Sequence, residues 1–233
     1  MTRAASPSLP TVILDRLQDV YRAAADADRA PAMQAYMRNQ FPFLGIPSPT
    51  QRTLARQVVE GLPAPSEAAL KGVAYGCWEL PEREYQYFAS HYLRRHSRRC
   101  GKDFIAVAAH LITKKSWWDT VDALAAHLVG PLVQRYLALK PEMDRWAHSD
   151  NIWLIRSALL HQLRAQELTD SDRLFEYCRL QAGNRDFFVR NAIGWALRDY
   201  ARTDPTSVRR FVAANRTRLS PLSAREALRN INA

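Results

Sequence analysis

The chain has 233 residues, 47% hydrophobic and 24% charged, with 33 Lys+Arg against 23 Asp+Glu and a formal net charge of +10. That balance supports one large or two small cored domains and excludes a chain disordered throughout. Arginine supplies 28 of the basic residues, and its planar fork suits phosphate oxygens, so a polyanionic partner is expected.

The N-terminus carries no apolar stretch suited to a signal peptide. No later segment approaches the roughly 18 apolar residues that span a bilayer, so no membrane association is expected. Cys77, Cys100 and Cys178 stand far apart with no CxxC pair, which points away from a disulfide framework or a structural zinc site and towards a cytoplasmic setting.

In chain order, the helix starts are marked by polar caps and prolines. Ser48-Pro49-Thr50-Gln51 predicts an N-cap at Ser48 followed by Pro at the first helical position. Leu80-Pro81-Glu82-Arg83-Glu84 places carboxylates in a first turn, and Asp204-Pro205 and Ser220-Pro221 repeat the cap-then-Pro pattern. Period-2 alternation and hairpin dipeptides such as Asn-Gly are missing, so no sheet is expected. Ala55, Ala89, Ala123, Ala158, Ala192 and Ala227 recur at intervals of 34, 34, 35, 34 and 35 residues. A period in the thirties with two helices per unit reads as a helical solenoid, small residues permitting close helix packing. The tetratricopeptide signature W-x2-L-G-x2-Y is absent. The expected fold is therefore all-α: a single domain over 1–233, a right-handed superhelix of about six HEAT-like helical pairs with a basic concave groove, and about the first 10 residues flexible.

Positions five before, one before and three after each repeat alanine lie on one helix face. They read Thr50/Leu54/Val58 and Glu84/Phe88/Tyr92, then Trp118/Asp122/Ala126, Trp153/Ser157/His161 and Phe187/Asn191/Trp195. Two before the alanine stand Arg156, Arg190 and Arg225 in the last three copies, an arginine ladder if the repeats stack. Such a wall suits a phosphate backbone with aromatic faces against sugar or base. The plainer alternative is core tryptophans and arginines that cap helix ends or pair with acids. Asp122 replaces apolar counterparts, so it should face a cleft or an arginine, Arg156 or Arg190 being its expected neighbours. Nucleotide-binding, serine-hydrolase and zinc-protease motifs are absent, and the six histidines show no ligand-like spacing, so no metal and no cofactor are expected.

At these residues the chain resembles the AlkD-type alkylpurine DNA glycosylases, a HEAT-like repeat family. The similarity runs in order through YMRNQFPFLGIPSPTQR (36 to 52), ELPEREYQ (79 to 86), KSWWDTVD (115 to 122), SDNIWLIR (149 to 156), AIGWALRDYA (192 to 201) and LSAREAL (222 to 228). The resemblance implies a monofunctional glycosylase that hydrolyses the N-glycosidic bond of N3-methyladenine and N7-methylguanine in duplex DNA. It also implies a monomer that works without base flipping, metal or nucleotide cofactor, in a bacterial-type cytoplasm near the nucleoid. By the same resemblance Asp122 is the catalytic carboxylate, Trp118 and Trp195 are the active-site indoles, and Arg156 contacts a phosphate. Arg198, Lys115, Ser116, Tyr36, Ser48 and Arg52 fall at motif positions implied to lie near DNA, and Arg190 of the arginine ladder is a further expected DNA contact. None of the five lysines, Lys71, Lys102, Lys114, Lys115 and Lys140, occupies the stripe, so a Schiff-base lyase step is not expected. Some relatives keep the fold and only bind branched or damaged DNA, which is the rival reading, and a protein-interaction scaffold is a second.

Overall fold

The computed structural model describes residues 7–229 and 231, and among them every regular element is helical. The expected flexible start lies outside the described residues for positions 1–6, and from Leu9 onward the chain is already helical. Two compact units form, divided between Gly101 and Lys102.

The first unit holds α1 (Leu9–Ala23), α2 (Ala30–Tyr36), α3 (Ser48–Val59), α4 (Glu67–Glu79) and α5 (Arg83–His96). Helix α1 packs on α3 and α4, and α5 packs on both as well. Its core is aliphatic and aromatic: Ile13, Leu17, Tyr21, Leu70, Val73 and Phe88 are buried, with Tyr21 stacked on Tyr85 at 5.9 Å between ring centroids.

Glu84 is fully buried at the start of α5 and has a structural task. Its carboxylate accepts the backbone N–H groups of Leu44 (3.0 Å), Gly45 (2.9 Å) and Ile46 (3.2 Å), tying down the loop that leads into α3. Burial pushes this carboxyl above the usual range while the three N–H donors pull it back. Gly45 has φ +89°, and a Cβ there would lie 2.1 Å from the carbonyl oxygen of Asp26. Gly45→Ala is therefore expected to destabilise the protein by at least about 2 kcal/mol, read from thermal melts, since backbone cannot move aside as a flexible side chain would.

Helix α3 departs in detail from its expected cap. Ser48 is its first residue, Pro47 precedes it, and no side chain caps that end. The buried Gln51 instead donates from Nε2 to the carbonyl of Ile46 at 2.7 Å. At Asp204 and Ser220 the expected caps form: their side chains accept from Ser207 N (2.9 Å) and Ser223 N (3.0 Å).

The second unit runs α6 (Phe104–Thr113), α7 (Trp118–Leu124), α8 (Gly130–Arg135), α9 (Lys140–Ala147), α10 (Ile152–Leu160), α11 (Ser171–Leu180), α12 (Phe187–Tyr200), α13 (Pro205–Ala214) and α14 (Pro221–Leu228). Helices α7, α10, α12 and α14 touch in succession and make one layer, against which α9, α11 and α13 pack from the other side. The sequence period is visible in the bonding. Asp122 meets Arg156 at a separation of 34 residues, Ala147 O meets Gln181 Nε2 at 34, Asp144 meets Tyr177 at 33 and Arg190 O meets Ser223 Oγ at 33. The repeat alanines lie one each on α3, α5, α7, α10, α12 and α14, and Ala89, Ala158, Ala192 and Ala227 are buried while Ala55 and Ala123 are partly open. Gly194 serves the same close packing, because a Cβ there would sit 2.5 Å from Cβ of Glu226 on α14.

Between α7 and α8 the helix widens into a π turn over Ala125–Val129. Pro131 lacks an N–H and its ring crowds the carbonyl four residues back, and a wider turn relieves both problems. Gly130 then lets α8 start directly under the end of α10, where a Cβ would meet the carbonyl oxygen of His161 at 2.2 Å.

Candidate active site

Two side-chain caps set the phase of the helices that carry the site. Asn151 Oδ1 accepts from the N–H of Trp153 (2.9 Å) and Leu154 (3.4 Å) at the start of α10. Asp186 Oδ1 accepts from Phe188 (2.7 Å) and Val189 (3.1 Å) at the start of α12. Each cap is worth about 1 kcal/mol, and each stands five residues before a site residue, Arg156 and Asn191 respectively. On α7, Trp118 and Asp122 are four residues apart and share one helix face.

The centre of the site is an ion pair between α7 and α10. Arg156 donates from Nε to Asp122 Oδ1 at 2.6 Å and from Nη2 to Oδ2 at 2.7 Å, a two-pronged contact that fixes the plane of the carboxylate. From Nη1 it donates to the carbonyl of Phe188 at 2.5 Å and to Asn191 Oδ1 at 3.4 Å, both on α12. Arg156 is 1% exposed, whereas the Asp122 side chain keeps 20% of its surface open. Each carboxylate oxygen has a second lone pair beyond the one given to Arg156. Burial pushes the Asp122 carboxyl above the usual carboxylate range; the hydrogen bonds and charge of Arg156 pull it down, and Asp119 adds a smaller upward push.

This geometry changes the expectation for Arg156. A guanidinium that is buried, with Nε, Nη1 and Nη2 all donating within the protein, does not present itself to a phosphate. It orients the acid instead.

Aromatic side chains close the rest of the site. The rings of Trp117, Trp153 and Phe188 lie 5.0 to 5.8 Å apart, and Phe188 also sits 6.0 Å from Arg156 Cζ. Trp195 has two guanidinium groups within cation–π range, Arg156 at 5.4 Å and Arg198 at 5.9 Å. Arg198 in turn donates from Nη1 to Glu226 Oε2 at 2.7 Å.

The remaining sequence candidates have varied surroundings. Arg190 is half-buried and donates from Nε to the carbonyl of Asn184 at 2.8 Å, while Arg225 is exposed. The three arginines of the expected ladder thus meet an acid, a loop carbonyl and solvent, and do not form a uniform row. Lys115 is half-buried with φ 48°, an unusual left-handed conformation for a lysine. The hydroxyl of Ser116 donates to the carbonyl of Ile112 at 2.6 Å and closes the end of α6. In the first unit, Tyr36 is 72% exposed at the end of α2, and Ser48 and Arg52 are exposed on α3. Sequence reasoning placed Asn191 on the stripe without giving it a role, and did not single out Phe188 or Glu226. Asn191 and Glu226 had a signal, since both occupy the repeat position of Asp122, one before the alanine; the carbonyl of Phe188 had none.

Cys77, Cys100 and Cys178 are buried, and burial pushes the Cys77 and Cys178 thiols up, away from the reactive thiolate. Among the described residues no group of three His, Cys, Asp or Glu is placed to hold a metal ion, and no helix is long and apolar enough to cross a membrane.

Comparison with known proteins places the chain. No match was found among curated proteins. A solved structure described as a predicted DNA alkylation repair enzyme from Enterococcus faecalis is 31% identical, with 89% of this chain and 96% of that one covered and a TM-score of 0.80. The alkylpurine DNA glycosylase AlkC of Pseudomonas fluorescens, bound to DNA containing an abasic site analog, is 19% identical over 98% of this chain and 66% of that one, with a TM-score of 0.53. At that identity the likeness concerns the fold. The profile of the DNA alkylation repair enzyme family matches residues 17–231, and the chain belongs to that family.

Proposed function

We propose that the chain is a monofunctional DNA glycosylase of the AlkD type. Its substrates in this reading are cationic alkylated purines, N3-methyladenine and N7-methylguanine, in duplex DNA. The observation that carries the reading is a carboxylate held in one plane by a buried arginine with one-fifth of its own surface still exposed, on the same helix face as Trp118. The family membership and the fold shared with a DNA-bound alkylpurine glycosylase accord with it.

The chemistry asks little beyond electrostatics. An N-alkylated purine already carries positive charge and leaves as a neutral base, so no general acid has to protonate it. As the bond to C1′ breaks, positive charge develops on the deoxyribose. Ionised Asp122, oriented by Arg156, stabilises that charge more in the transition state than in the ground state, and its free lone pairs align the attacking water. One carboxylate suffices where sugar hydrolases generally use two. Indole faces of Trp118 and Trp195 attract the cationic lesion and sugar by about 0.5–2 kcal/mol each. The enzyme in this reading engages sugar and backbone without flipping the base, as a monomer.

A sign follows for pH. Only the ionised Asp122 stabilises the sugar cation, and burial raises its carboxyl. The single-turnover rate is therefore expected to fall on the acid side with a midpoint above the ordinary aspartate value of about 3.9. A rate flat down to about pH 4 would contradict that assignment.

The second reading, a non-catalytic binder of damaged or branched DNA, draws on the same ion pair taken as purely structural. Incubating the protein with methylated duplex DNA and a chelator, and identifying the freed bases by chromatography, separates the two. Release of N7-methylguanine above the spontaneous rate supports the enzyme; DNA retained without release supports the binder.

A further inference from the structure

We infer that Glu226 is a positioning residue that holds Arg198 beside Trp195 so that the open edge of its guanidinium meets a DNA backbone phosphate. The inference rests on the reading that this chain binds duplex DNA and adds a residue to that site. Glu226 stands one residue before Ala227, the register that Asp122 occupies before Ala123. The two acids therefore come from equivalent places in the repeat, on α7 and α14, and each is bonded to an arginine that lies near the same indole.

The two arginines differ in what they have left to give. Arg156 spends Nε and Nη2, one side edge of its fork, on Asp122, and Nη1 on α12. Arg198 uses only Nη1, on Glu226; among the described residues its Nε and Nη2 have no protein partner, and its side chain is 24% exposed. The edge that Arg156 uses to grip a carboxylate in two places is thus unoccupied on Arg198, and it fits a phosphate in the same bidentate way. Holding a long side chain in one rotamer costs entropy that a resident partner offsets before DNA arrives. Glu226 is well placed for this, with a side chain 14% exposed and Arg229 Nη1 at 3.8 Å from the same carboxylate oxygen. Gly194 makes the reach possible, since any side chain there would push α14 away at Cβ of Glu226.

The test measures affinity for an undamaged duplex as a function of salt for wild type, Arg198→Ala, Glu226→Ala, Glu226→Gln and the double alanine variant. Arg198→Ala is expected to reduce the slope of log affinity against log salt by about 0.9, the value for one lost phosphate contact. Glu226→Ala is expected to weaken binding at low salt by about 3- to 10-fold and to lower the slope in the same direction, with Glu226→Gln, which keeps the acceptor, recovering part of the loss. In the Arg198→Ala background the Glu226 substitution should change nothing further. Circular dichroism melts report separately whether α14 remains packed, and a purely structural role would lower the melt in both backgrounds without altering the slope. Unchanged or tighter binding by Glu226→Ala, or additive losses in the double variant, overturns the inference while leaving the glycosylase reading intact. Failure of the wild type to bind duplex DNA overturns both.

Discussion

Asp122→Asn is expected to slow single-turnover release of N7-methylguanine by about 100- to 1000-fold, or about 2.7–4 kcal/mol of transition-state stabilisation. The amide keeps the shape of the carboxylate but not its charge, so it cannot stabilise a cationic sugar. Its oxygen still accepts from Arg156, while its NH2 group faces a second guanidinium donor where Oδ1 or Oδ2 now accepts. Duplex affinity should change by no more than about threefold, because affinity comes from phosphate contacts that Asp122 does not make. Rates have to be compared well below the melting temperature, since the buried charge of Arg156 loses its counterion in this variant. An Asp122→Asn protein that releases the base at the wild-type rate would end the catalytic assignment.

Arg156→Ala should act on stability first. Removing one member of a buried ion pair costs about 3–5 kcal/mol, because the other is left desolvated and uncompensated. At about 2–4 °C per kcal/mol for a chain of this size, the melt should drop by about 6–20 °C. The rate should fall as well, since among the described residues no other side chain bonds the carboxylate. The salt slope of DNA binding should stay as in wild type, because a side chain 1% exposed is not at the phosphate surface. Arg156→Lys should not rescue: an ammonium is a single point and cannot bridge both oxygens as Nε and Nη2 do. A shallower salt slope with an unchanged melt would return Arg156 to the DNA backbone.

The parts of the fold that depend on local chemistry can be read from the chain. Caps at Asp204 and Ser220 follow from short polar side chains before proline, and the 34-residue alanine spacing corresponds to the separations at which the helices of the second unit bond to each other. The pairing of Asp122 with Arg156 is legible too, since an acid at an otherwise apolar position requires a cation, and the repeat register puts that arginine on the neighbouring helix. Which of an arginine's nitrogens remains free is not legible. Arg156, Arg190 and Arg225 share a repeat position, yet their partners are a carboxylate, a loop carbonyl and solvent, set by neighbours that differ from copy to copy. Glu84 shows the same limit. It occupies the acidic first turn that the sequence suggests, but its ligands are three N–H groups some 40 residues earlier in the chain, at 38 to 40 residues' separation.

Asp122 and Arg156 are contributed by successive turns of the repeat, so neither helical pair contains the site alone. An insertion or deletion inside α7 or α10 rotates one partner by about 100° per residue around its helix and parts them, whereas one in the short connection between Arg135 and Lys140, outside α8 and α9, leaves both faces in place. Length variation among relatives should therefore collect in that connection. Copying a whole helical pair elsewhere in the array would extend the protein without disturbing the seam where the acid meets its arginine.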